Sequence, residues 1–276
     1  MDTQSDDRRI DERYRIVNGI FSTLRPKIVA DIQRAKHSLT LHMLYRATLK
    51  VDTLVGLFLK HNNLEHYYPN SILFRTIVEH FLTALFVGIR NDIEKSDEAA
   101  LDYYTGYLDS EIIKRTAYDL RLEGMLHNVE KNDSLENINR ALDQAWSQSD
   151  RERIHKVEYR FDIKNIMKFL IHGIPESHEY ADIMDSYPVL IKAYNITSSY
   201  VHGGPTAEFE QYEWFEASVQ QTRLDKFGTF SKLMALQIKE MILFRLLEYS
   251  RREYYPACIP LEMFLREKYV SQSRKQ

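Results

Sequence analysis

The chain has 276 residues, with 37 basic and 40 acidic side chains, and its formal charge of -3 implies no general attraction to nucleic acid or anionic membrane. Apolar residues at 44% and charged residues at 28% describe a globular chain long enough to bury a sizeable core. Nine Gly and seven Pro are too few for a β-sandwich or barrel threaded through many turns, and one cysteine, Cys258, excludes an internal disulfide and a Cys-rich zinc site.

The opening MDTQSDDRRIDERYR is charged and lacks the apolar stretch of a secretory signal. The longest clean apolar run, FLTALFVGI, falls short of the roughly 18 residues that span a bilayer. Together with the lone cysteine, these features predict a cytoplasmic protein without a membrane partner.

Apolar spacing is helical nearly throughout. A first helix is expected over 6–24, ending near Pro26. A long second one covers 27–61, with Ile28, Ile32, Leu39, Met43, Ala47, Leu54 and Phe58 at three- and four-residue steps. Pro69 suits the first turn of a third helix, which runs to about Arg90. Ser96 reads as an N-cap, with Asp97 and Glu98 against the positive helix end, and the fourth helix continues to about Asn128. The polar segment 132–150 predicts a helix between loops, and 162–170 a short helix ending at Gly173. Another starts near Pro188 and stops at His202, because Gly203, Gly204 and Pro205 do not prolong it. An acidic, aromatic connector containing EFEQYEWFE fills 205–222, an apolar helix covers 224–249, and a short one follows Pro260. No repeat is visible. The reading is a single all-α domain, a multi-helix bundle of long antiparallel helices, with polar connectors near 129–160 and 204–222.

Two polar features stand out. In YYPNSILFRTIVEHFLTALFVG, residues 67–88, Arg75 and Glu79 lie one turn apart on a helix that is otherwise apolar. On a wheel of about 100° per residue they share a side with Leu82, Phe86 and Ile89, while Leu73, Ile77, Phe81 and Ala84 lie opposite. Such a helix is central, so the charges are at least partly shielded. The pair is either an ion pair that fixes register or the lining of a cavity, with Arg75 holding an anion and Glu79 orienting it. In YNITSSYVHGGP, residues 194–205, His202 follows Ser198 and Asn195 along one face, with Tyr194 adjacent. His202 is either a C-capping residue before the Gly-Gly stop or a catalytic or ligand-binding imidazole, and Ser198, Asn195 and Tyr194 are candidate ligand contacts.

R-x-x-x-E at Arg75 and Glu79, with S-x-x-x-H-G at Ser198, His202 and Gly203, resembles a family of bacterial all-helical proteins of unknown function, over about residues 40–205. The helical character and terminal His are also similar to the HEPN superfamily, whose members are often RNA-cleaving toxins or antiviral defence effectors. That superfamily's motif is Arg, four to six residues, then His. No Arg stands at that spacing before His202, and the literal matches RTIVEH (Arg75, His80) and RLEGMLH (Arg121, His127) are no more than chance supplies at this composition. The resemblance implies a metal-independent RNA endonuclease without a cofactor, with His202, Arg75 and Glu79 as catalytic residues, acting as a homodimer or with a partner protein.

RERIHKVEYRFDIKNIMK, residues 151–168, interleaves aromatics among basic residues, and Arg151, Arg153, Lys156 and Arg160 are candidate RNA contacts or else a salt-bridged solvated face. No HExxH, glycine-rich phosphate loop or nucleophile elbow occurs. The alternative to a ribonuclease is a non-catalytic helical module that binds a small anionic ligand or a partner protein.

Overall fold

The computed structural model describes residues 3–35, 38–127, 131–178, 187–201, 217–249, 256, 258 and 259, all in helices or short links, with no strand among them. The all-α architecture expected from the periodicity is what forms. The helices are α1 (Thr3–Ile32), α2 (Ser38–Lys60), α3 (Tyr67–Glu94), α4 (Glu98–Asp102), α5 (Leu108–Leu126), α6 (Lys131–Ala145), α7 (Gln148–Phe161), α8 (Ile163–His172), α9 (Tyr187–Val201) and α10 (Ala217–Tyr249). A 3₁₀ turn, Leu64–His66, precedes α3, and a π-helical turn, Tyr103–Tyr107, joins α4 to α5.

Helix α3 is central. It packs against α2 and α10 on one side and against α8 and α9 on the other, while α1 lies along α10. Leu82, Phe86 and Ile89 are buried, and so are Ile77, Phe81 and Ala84 across the helix. Leu64–Glu94 is the one stretch among the described residues long and apolar enough to cross a membrane, and 61% of its most apolar window is buried against neighbouring helices. At Gly88 the end of the Met241 side chain of α10 fills the space that a Cβ would take, so a larger residue there would make that side chain shift. Nearby, Arg245 of α10 donates to the Gly88 carbonyl at 2.5 Å and pairs with Asp92 at 2.7 Å. On the far side of α10, Lys239 bridges Asn18 of α1 and Asp52 of α2 at 2.5 Å each. Its burial lowers the Lys239 pKa.

Several boundaries differ from the sequence reading. Pro26 sits inside α1, and the break falls at 33–35, so the long helix expected over 27–61 is two. An interior proline costs about 3 kcal/mol. Continuing the helix buries Ile28 and Ile32 in line with Val17 and Phe21, and each such side chain contributes about 1.5–3 kcal/mol. Pro26 and Ser22, whose carbonyl loses its i+4 partner, are both exposed, so water can satisfy that oxygen. The stretch 129–160, read as holding connectors, contains α6 and α7, and α10 starts at Ala217 rather than at 224. Residues 202–216 and those following Pro260 lie outside the described residues.

Asp97 does not simply serve its own helix. Its carboxylate accepts from the Leu39 and Thr40 amides at 3.2 and 3.0 Å and from the Thr40 hydroxyl at 2.6 Å, all in the first turn of α2. A residue expected to stabilise the start of α4 instead caps α2 from a distance. Lys95, in the left-handed conformation at φ 52°, ends α3 and lets the chain turn to reach it. Asp97→Ala strands those donors, and urea unfolding is expected to show a loss of about 1–2 kcal/mol at unchanged m-value. Unchanged stability would show that water replaces the cap fully.

Candidate functional site

Arg75 and Glu79 pair on α3, Nε to Oε1, at 3.1 Å. The pair is one part of a larger cluster reaching α9. Tyr194 donates its hydroxyl to Glu79 Oε1 at 3.0 Å and accepts from Arg75 Nη2 at 3.4 Å. Arg75 Nη1 donates to the Ser198 carbonyl at 3.4 Å, and the guanidinium lies 5.2 Å from the centre of the Tyr194 ring. A carboxylate, a phenol, a carbonyl and a ring face thus gather around one partly buried cation. The Arg75 side chain is 14% exposed and that of Glu79 39%, so the carboxylate forms the outer edge of the cluster. Burial and the neighbouring Glu79 charge raise the Tyr194 pKa, which keeps the phenol a neutral donor.

The structure therefore brings Arg75, Glu79, Tyr194 and Ser198 together. Ser198 contributes its main-chain carbonyl to this cluster. Asn195 is exposed, and His202 lies outside the described residues.

Glu79 and Tyr194 also line an open cleft of about 440 Å³ where α3, the π turn, α5, α7 and α9 meet. Sequence reasoning overlooked most of its residues. Helix α3 adds His80, the π turn adds Tyr103 and Tyr107, and the opposite wall carries Lys114 of α5 with His155 and Glu158 of α7. Gly106 allows the turn to lie against α7, since a Cβ there would meet Val157 at 2.8 Å. Glu158 accepts from Lys114 at 2.5 Å, which lowers its pKa, and His155 Nδ1 lies 3.5 Å from its other oxygen. Burial, and then the charge of Lys50, lower the His80 pKa. Burial raises those of Tyr103 and Tyr107. The inner wall thus offers neutral hydrogen-bonding groups, and carboxylates hold the rim.

The sequence did hold two signals for this cleft. One is the tyrosine cluster YYTGY, in which three aromatics cannot all face the core. The other is His80, whose polar ring follows Glu79 in an otherwise apolar run.

The basic stretch 151–168 forms α7 and α8. Arg151 pairs with Asp143, and Arg160 with Asp102 at 2.6 Å, so those two cations are already engaged within the protein. Arg153 and Lys156 are exposed. Among the described residues no group of three or more His, Cys, Asp or Glu side chains could hold a metal ion.

No protein-family model, curated protein or solved structure matches this chain.

Tyr194→Phe removes one hydroxyl that both donates to Glu79 and accepts from Arg75, and is expected to lower unfolding stability by about 1 kcal/mol. A double-mutant cycle of Tyr194→Phe with Glu79→Gln checks this, since a coupling near zero would separate the two side chains energetically. His80 gives a pH dependence. Its folded-state pKa lies below 6.5, so on acidification the unfolded chain takes up that proton first, and stability falls as pH drops below 6.5. Chemical denaturation across this range is expected to show a shallower pH slope in His80→Gln than in the parent protein. Identical slopes would show that this imidazole titrates alike folded and unfolded.

Proposed function

We propose that the protein is a HEPN-like effector that cleaves RNA without a metal ion, at the α3–α9 junction and the cleft beside it. The observation that carries this reading is the contact of Arg75 and Glu79 with Tyr194 and Ser198 across more than a hundred residues of chain. Arg75 and Glu79 of one motif that resembles the bacterial family thus touch α9 at Ser198, the first residue of the other, next to a cleft of about 440 Å³. Such a space suits one nucleotide, and the tyrosine faces suit its base.

In the proposed reaction the ribose 2′-oxygen attacks the adjacent phosphorus and loses its proton to a base. The P–O5′ bond breaks, and the departing oxygen takes up a proton. The products are a 2′,3′-cyclic phosphate and a 5′-hydroxyl end. His202 is assigned the proton transfers, because imidazole exchanges protons near neutral pH. Arg75 supplies positive charge towards the phosphorane and holds Tyr194 and Glu79 in place. Glu79 orients the nucleophile from its half-exposed position.

The test is incubation of the whole chain with single-stranded RNA in EDTA, followed by identification of the new ends. Cyclic phosphate ends are expected, with the rate reduced about 10²–10⁴-fold in His202→Ala and markedly reduced in Glu79→Gln. Circular dichroism establishes that both variants fold. Cleavage undiminished in both variants, or no cleavage by the parent, overturns the assignment.

A second reading has its own support. The Arg75 guanidinium is already surrounded by partners from the protein itself, as a structural cation would be. On that reading the chain is a non-catalytic helical module that binds a small anionic ligand or a partner protein, and RNA incubated with it stays intact.

A further inference from the structure

A second hollow of about 320 Å³ adjoins the cleft and shares His80, Thr83, Tyr103 and Tyr107 with it. Its outer wall is α2, from which Arg46 and Lys50 project one turn apart, both exposed. Like charges at that spacing repel. Among the described residues no carboxylate forms a salt bridge with either. The Arg46 guanidinium lies 5.9 Å from the centre of the Tyr104 ring. Behind the two cations stand three tyrosines. The rings of Tyr103 and Tyr107 are stacked at 5.8 Å, and that of Tyr104 meets Tyr103 edge-on at 5.5 Å.

The two hollows together form one polarised trough. At one end Glu158 is paired with Lys114 and Glu79 with Arg75, the cations of α2 stand at the other, and His80 with the shared tyrosines lies between. A ligand that carries a negative group joined to a planar, hydrogen-bonding ring therefore finds its cations on α2. Its anion is drawn to Arg46 and Lys50, while the ring reaches the tyrosine faces.

We propose that Arg46 and Lys50 form a phosphate subsite and that Tyr103, Tyr104 and Tyr107 receive the attached base, so that the trough binds nucleotides. This rests on the reading of the adjoining cleft as an RNA site, and it adds the direction of the strand and the residues that fix it. A free nucleotide and a nucleotide within a strand offer the same chemistry, and the experiment separates them.

Isothermal titration of the whole chain uses four probes: inorganic phosphate, adenosine, adenosine 5′-monophosphate and a short single-stranded DNA, which has no 2′-hydroxyl and so cannot be cleaved. The monophosphate is expected to bind more tightly than adenosine or phosphate alone. Arg46→Gln with Lys50→Gln is expected to weaken it about tenfold or more and to flatten its salt dependence. Tyr104→Leu is expected to weaken the monophosphate and adenosine together. Both sets of positions are exposed or at the surface of the hollow, and thermal unfolding of each variant verifies its fold. Binding of the DNA but not of the monophosphate, lost in the double variant, supports the subsite with a polynucleotide as its occupant. No binding of either, or binding that the double variant leaves unchanged, overturns it. Monophosphate binding without any RNA cleavage overturns the ribonuclease reading and leaves the subsite standing. Cleavage with no loss in the double variant does the reverse.

Discussion

A guanidinium largely shielded from water needs partners from the protein, and Arg75 sits about a third of the way along the central helix of the fold. Its own helix can offer only Glu79. The remaining donors find the Ser198 carbonyl and the Tyr194 phenol, so α9 must dock on α3 in one rotation and at one height. The same requirement turns the Glu79 carboxylate outward, where it becomes part of the cleft wall. An apolar contact between two helices could slide by a turn at little cost, whereas this one, if it slides, strands the Tyr194 hydroxyl and two of the Arg75 donors. Lys239 imposes a comparable condition at the other side of the bundle, tying α10 to α1 and α2.

How much of this was legible in the sequence varied with the range of the forces involved. The all-helical class and the central place of α3 follow from a local property, the three- and four-residue apolar spacing, and a helix apolar all round has nowhere to be but inside. Pro26 misled because a local rule met a larger opposing term: the burial of Ile28 and Ile32 outweighs the lost hydrogen bond, and sequence alone does not show which side of the helix is wet. Asp97 misled for a different reason. A carboxylate before a helix looks the same whether it caps that helix or another 57 residues away.

For the site, Arg75 and Glu79 were visible as charges in the wrong surroundings. Their contact with Tyr194 and Ser198 lies in tertiary geometry and could only be guessed. Lys114, His155 and Glu158 escaped notice because each is unremarkable in its own segment, and they acquire meaning only where α3, α5 and α7 meet. The basic run of α7 and α8 was open to two readings, RNA contacts or a salt-bridged face. Arg151 and Arg160 are engaged with carboxylates from other segments, whereas the two cations of α2, in a stretch without notable charge, face open space beside aromatic rings.

The π turn at Tyr103–Tyr107 carries one residue more than an α-turn, and the widened loop absorbs that surplus locally. Excising one of the five would let the ladder close as plain α-helix with α5 still in phase, so Lys114 would keep facing Glu158. What would go is a tile of the aromatic floor shared by the two hollows. The surplus residue thus adds cleft surface that a regular helix of the same span has no room to display.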